Sequence, residues 1–122
     1  MATILIIDDD PDIRAIVRMS LVQLGAHIVH EARDGNEGVW LCLDRRPDAV
    51  LLDLMMPDMD GLECLERLRA ACATSGFRLP PVFLMTARSD SGASSIEGLH
   101  GVISKPFDPV ELVDELRKVV PA

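Results

Sequence analysis

Ile4-Leu5-Ile6-Ile7-Asp8-Asp9-Asp10-Pro11-Asp12-Ile13-Arg14 holds a strand, a turn and the start of a helix. Four consecutive apolar residues without alternation read as a strand buried on both faces, the pattern of a parallel sheet covered by helices. The acids then break the run. Asp10 suits a helix cap, and Pro11 suits the first helical position, where no backbone N–H is needed. From Ile13 the apolar positions Ile16, Val17, Leu21 and Leu24 recur at helical spacing, and Gly25 offers a C-terminal stop. A buried strand therefore ends in carboxylates and passes directly into a helix.

The same alternation continues along the chain. Residues 26 to 32 predict a short edge strand, and residues 36 to 46 a second helix before Pro47. Ala49 to Leu52 are wholly apolar and stop at Asp53. After Gly61, whose place at the start of a helix points to a backbone role, Leu62, Leu65, Leu68 and Cys72 give a third helical stripe. Val82 to Met85 form a fourth apolar run ending at Thr86, Val102-Ile103 a short fifth before Lys105, and Leu112, Leu116 and Val119 a last helix opening near Asp108-Pro109. Five strands alternating with helices predict an α/β fold with a parallel sheet between two helical layers. Sites in such folds lie at the carboxyl ends of the strands, so Asp8, Asp9, Asp53, Thr86 and Lys105 are expected to share one edge.

Size and charge limit the alternatives. At 122 residues and 48% hydrophobic, the chain is expected to form one domain over residues 1–122. No run approaches the roughly 18 apolar residues of a membrane span, and Met1-Ala2-Thr3-Ile4 carries no basic leader, so a soluble, cytoplasmic protein without a membrane partner is expected. The net charge of −8 argues against direct nucleic-acid binding, which depends on neutralising phosphates. Cys42, Cys64 and Cys72 lack the close pairing with His that zinc requires and read as reduced thiols. His27, His30 and His100 read as surface or strand residues. Trp40 and Leu43 fall off the helical stripe set by Val39 and Cys42, and either form an exposed apolar patch for a partner or a second copy, or are partly buried.

Three carboxylates brought together repel, which raises the pKa of at least one or recruits a cation. Hard oxygen ligands with positions left to water and phosphate match Mg²⁺, with Mn²⁺ able to substitute. A carboxylate can also be the nucleophile in phosphoryl transfer when charge on the moving oxygens is neutralised. Lys105 supplies a compact positive charge for that purpose, the Thr86 hydroxyl a donor, and the small Ala87 leaves the approach to Asp53 open.

Four strings carry a resemblance over nearly the whole chain: the Ile4 to Arg14 segment, Asp53-Leu-Met-Met-Pro-Asp-Met-Asp-Gly61, Met85-Thr-Ala-Arg88 and Lys105-Pro106-Phe107. Together, in this order, they resemble the response-regulator receiver family of two-component systems. The resemblance implies a flavodoxin-like doubly wound (βα)5 three-layer sandwich with sheet order 2-1-3-4-5. It also implies Asp53 as the phosphoacceptor, direct Mg²⁺ ligation by Asp9 and Asp53, ligation by Asp8 mainly through water, and completion by the backbone carbonyl of Met55. The Lys105-Pro106 bond would be cis. The implied donor is a sensor histidine kinase or a histidine phosphotransfer protein, and the implied role is that of a signalling domain which promotes its own phosphorylation and dephosphorylation.

The chain departs from the family pattern in two places. The stretch from Thr86 to Lys105 is short, and Ser89-Asp-Ser-Gly-Ala-Ser-Ser95 has little apolar periodicity, which predicts a short or disordered fourth helix. Val102 stands where the family commonly has an aromatic switch residue. A receiver-like module that binds partners without phosphorylation is the main alternative. An aspartate-nucleophile phosphatase would need an acid where Met55 stands, and a flavin-binding relative would need a phosphate loop where Asp8-Asp9-Asp10 repels phosphate. With no length left for an output domain after Ala122, the chain is expected to be a stand-alone receiver or an excised one.

Overall fold

The computed structural model describes residues 2–25, 27–57, 59–86, 99–105 and 108–120. Its elements run β1 (Thr3–Ile7), α1 (Pro11–Gly25), β2 (Ile28–Ala32), α2 (Gly35–Arg45), β3 (Ala49–Asp53), α3 (Gly61–Ser75), β4 (Val82–Thr86), β5 (Leu99–Ser104) and α4 (Pro109–Arg117). The expected short or disordered fourth helix falls on residues outside the described set, so α4 denotes the last helix. The strands form one parallel sheet in the order β2-β1-β3-β4-β5. The parallel sheet is the one anticipated from the alternation of apolar runs and helical stripes, and its order is the doubly wound one that the family resemblance implies.

Alternate strand residues face opposite helical layers. Leu5, Ile7, Val50, Leu52, Val82 and Leu84 pack with Cys42, Cys64, Leu65 and Leu68 of α2 and α3. Ile4, Ile6, Leu51, Phe83 and Met85 pack with Val17, Leu21, Leu112 and Leu116 of α1 and α4. Because both faces are covered, the central strands lose all alternation of polarity, which is why they read as unbroken apolar runs. β2 and β5 are the edge strands, and their mixed exposure explains why their sequences were the least legible. β5 is longer than Val102-Ile103 alone predicts: it takes in Leu99, His100 and Gly101, with the His100 ring edge-on to Phe83 at 5.2 Å.

The helix ends follow local chemistry. Asp10 caps α1 by accepting from the Asp12 N–H at 2.9 Å, while Asp34, Asp60 and Asp108 cap the other three helices with side-chain acceptors. Gly61 has the expected backbone role: a Cβ there would lie 2.7 Å from the Asp53 carbonyl oxygen and 2.8 Å from the Leu54 Cα. That close approach seats the first turn of α3 on the end of β3.

One surface expectation needs correction, and one left open is decided for each residue. His27 is buried rather than on the surface; its Nδ1 accepts from the Ala2 N–H at 3.3 Å, and its Nε2 has no hydrogen-bond partner among the described residues. It fills the turn between α1 and β2, where Gly25 leaves room for the ring. Leu43 is half-buried against the α2/α3 core, so only Trp40 of that pair is exposed. Among the described residues, no helix is long and apolar enough to cross a membrane.

Candidate functional site

The chain reverses its winding between β1 and β3, and the carboxyl ends of those neighbouring strands carry Asp8 and Asp53. Asp53 is the last residue of β3, in register with Met85 of β4; Thr86 ends β4 opposite Ser104 of β5, and Lys105 follows at once. The Lys105 N–H donates to the Thr86 carbonyl at 2.7 Å, which extends the ladder and turns the lysine side chain toward the edge. Four strand ends thus converge because their registers leave them level.

Asp8, Asp9 and Asp53 each offer a carboxylate oxygen, all within 4.8 Å of one another, an arrangement that could hold a metal ion. Asp8 and Asp53 are buried, whereas Asp9 is exposed. The Lys105 ammonium reaches across to Asp8 Oδ2 at 3.0 Å and to Asp53 Oδ1 at 3.1 Å. Burial, and then the Asp8 charge, push the Asp53 carboxyl up to about 6, with Lys105 and the Met55 N–H opposing. Burial alone would lower the Lys105 pKa, but its hydrogen bonds to Asp8 and Asp53 and their charges raise it overall. The ammonium therefore stays charged while it partly offsets the carboxylate repulsion.

The remaining expected residues are placed unevenly. Thr86 is buried at the strand end beside Lys105. Met55 lies two residues beyond Asp53, its N–H donating to Asp53 Oδ1 at 3.3 Å and its side chain standing in solvent. Ala87, and the Lys105-Pro106 bond through its proline, fall outside the described residues. One contributor was missed in the sequence. Arg14, on the first turn of α1, donates from Nη1 to the Asp8 backbone carbonyl at 2.7 Å and pairs through Nε with Glu31 at 3.4 Å. It clamps the turn that carries Asp8 and Asp9. A helix-surface arginine has no local signature for such a reach.

Hard oxygen donors and a paired lysine at the switch edge of a doubly wound sheet define a class of α/β domain that can handle a phosphoryl group and a divalent cation. Comparison with known proteins narrows this class. The family model described as "Response regulator receiver domain" matches residues 4–117, and the chain belongs to that family of signalling domains. Response regulator MprA of Mycobacterium sp. (strain KMS) is 39% identical over 121 residues, covering 96% of this chain and 50% of the relative. The DNA-binding dual master transcriptional regulator RpaA of Synechocystis sp. is 35% identical, covering 98% of this chain and 49% of that protein. Among solved structures, chemotaxis protein CheY4 of Vibrio cholerae superposes with a TM-score of 0.83 at 30% identity, covering 98% of this chain and 99% of that one.

The chain spans about half the length of these curated relatives. They overturn the exclusion of nucleic-acid binding that was drawn from the net charge. A relative named as DNA-binding matches this acidic stretch over nearly all of its length, so the charge of the stretch does not decide what the family binds.

Proposed function

We propose that residues 1–122 form one receiver domain and that Asp53 accepts a phosphoryl group from a phosphohistidine of a sensor kinase or phosphotransfer protein. The observation that carries this reading is the Lys105 ammonium lying 3.0 Å from Asp8 and 3.1 Å from Asp53, with Asp9 completing a three-carboxylate group. The donor set fits Mg²⁺: two aspartates and Asp53 supply hard oxygens, the Met55 carbonyl is a fourth candidate ligand, and the exposed side of Asp9 leaves room for water and phosphate. When bound, the cation neutralises charge on the transferring oxygens.

The protein groups divide the remaining work. An Asp53 carboxylate oxygen bonds to phosphorus as the P–N bond to the donor imidazole breaks, and the departing imidazole keeps that electron pair and takes up a proton. Asp53 attacks as its anion, which neighbouring positive charge favours over the protonated form. Lys105 is already within hydrogen-bond distance of Asp53, so a small movement lets it pair with an oxygen of the new phosphoryl group. The Thr86 hydroxyl, at the adjacent strand end, is the donor for another. Arg14 holds the turn that orients Asp8.

Acetyl phosphate with Mg²⁺ is expected to add one acid-labile phosphoryl group, measured by intact mass. Asp53→Asn should abolish the addition, and Lys105→Ala should slow it by roughly 100-fold, the scale of losing one charge-stabilising donor. Undiminished labelling of Asp53→Asn would refute the assignment. A parent protein that binds Mg²⁺ but takes no phosphoryl group would favour the partner-binding alternative.

A further inference from the structure

At the opposite end of the sheet from the acid site, α2 and α3 bring two cysteines together. Cys42 lies near the end of α2 and Cys72 near the end of α3, both free, both buried in the core that the two helices share, and both lining one cavity. The helix ends hold this pair in place. The Arg46 N–H caps α2 by donating to the Cys42 carbonyl at 3.0 Å, and the Phe77 N–H donates to the Cys72 carbonyl at 2.8 Å. Arg46 adopts the left-handed conformation with φ of 46°, uncommon for a residue with a side chain, and its guanidinium stacks on the Phe77 ring 3.8 Å from the centroid. The end of α2 is therefore strapped to the end of α3, each at the residue whose N–H bonds a cysteine carbonyl.

A cavity of about 320 Å³ opens at this place, and its lining includes Cys42, Cys72, Arg46, Phe77 and Arg78. A small reagent thus has a route to thiols that are otherwise part of the core. Cys64, near the start of α3, does not line this cavity.

We propose that Cys42 and Cys72 are an oxidative modification site that closes to an intramolecular disulfide between α2 and α3. A diazenedicarboxamide or a peroxide is the oxidant. The two thiols lose two protons and two electrons as the S–S bond forms; the N=N bond of the first reagent becomes a hydrazine, or the O–O bond of hydrogen peroxide breaks to give two waters. Burial, followed by the neighbouring Cys72, pushes the Cys42 thiol up to about 12, so thiolate is scarce and the first attack is slow. The second step is faster than the first because the partner thiol lines the same cavity. The cross-link is independent of the phosphoryl chemistry, and its test does not depend on that reading.

The reduced chain, kept native, is treated with diamide and then alkylated, and its free thiols are counted by mass. The expected result is loss of two of the three thiols, with a tryptic cross-link joining the Cys42 and Cys72 peptides, a monomer on non-reducing gels and recovery with dithiothreitol. Cys64→Ser should cross-link as the parent does, and Cys42→Ser and Cys72→Ser should retain both remaining thiols. Persistence of three thiols in the parent, a cross-link that uses Cys64, or only intermolecular disulfides would overturn the proposal.

Discussion

A carboxylate at the end of a buried strand is poorly solvated, and Asp53 carries the consequence in a pKa pushed up to about 6 by burial and by Asp8. The unfolded chain loses this proton near the ordinary value of 3.8, so between 3.8 and about 6 the folded protein binds more protons. The stability Asp53 contributes is complete below the lower value and is lost as the pH rises through the upper one. His27 has the opposite sign. Burial, with Arg117 adding positive charge and Asp48 partly opposing, lowers its pKa below 6.5, so stability is lost as the pH falls below 6.5 and the unfolded state takes up the proton. The two windows overlap, and variants separate them. Urea unfolding without divalent cations should show Asp53→Asn gaining on the parent as the pH rises through about 6. His27→Gln should lose less than the parent below 6.5. Parallel curves for parent and Asp53→Asn would contradict the burial argument. The burial of His27 itself was not legible: no periodicity marks a turn residue, and the ring is enclosed by residues distant in sequence, such as Ala2, as well as by its neighbour Gly25.

At the scale of elements, the three central strands were legible because each is covered on both faces and ends at a change of polarity: Ile7 to Asp8, Leu52 to Asp53, Met85 to Thr86. Edge strands carry weaker signals, since half their surface can be polar without cost. That accounts for the shortened reading of β5, where Leu99-His100-Gly101 shows no apolar run although Gly101 lies against the Phe83 ring. Contacts between elements were beyond the sequence, because they depend on how the elements are set against each other; the shared cavity of Cys42 and Cys72 between two helices and the reach of Arg14 from a helix to the end of β1 and to β2 are both of this kind. The α3 start is more constrained than its sequence suggests. Gly61→Ala would press a methyl group against backbone of β3 and of the loop that follows, at 2.7 Å and 2.8 Å. Backbone cannot swing aside as a side chain can, so a loss of roughly 2 kcal/mol in urea unfolding is expected. A change below about 0.5 kcal/mol, the range of ordinary surface substitutions, would show that α3 shifts freely at its first turn.

Over the whole molecule, a single sheet separates two helical layers and gathers its chemistry at one edge, so residues as distant in sequence as Asp8 and Lys105 hydrogen-bond directly. Their convergence was readable from strand order and strand ends alone. The exclusion of nucleic acid was not sound, because net charge describes a surface and not a family's partners. A divalent cation that binds only the folded state should stabilise it by about 2.7 kcal/mol at a hundred times its Kd. Mg²⁺ is therefore expected to raise the Tm, with a smaller rise in Asp9→Ala; equal rises would remove Asp9 from the site. The central claim is that Asp53 itself becomes the acyl phosphate, and borohydride tests it most directly. Hydride reduces an aspartyl phosphate to homoserine with release of phosphate, so the protein treated with acetyl phosphate and Mg²⁺, then reduced and sequenced by mass spectrometry, should carry homoserine at position 53. Homoserine at any other aspartate, with Asp53 unchanged, would contradict it.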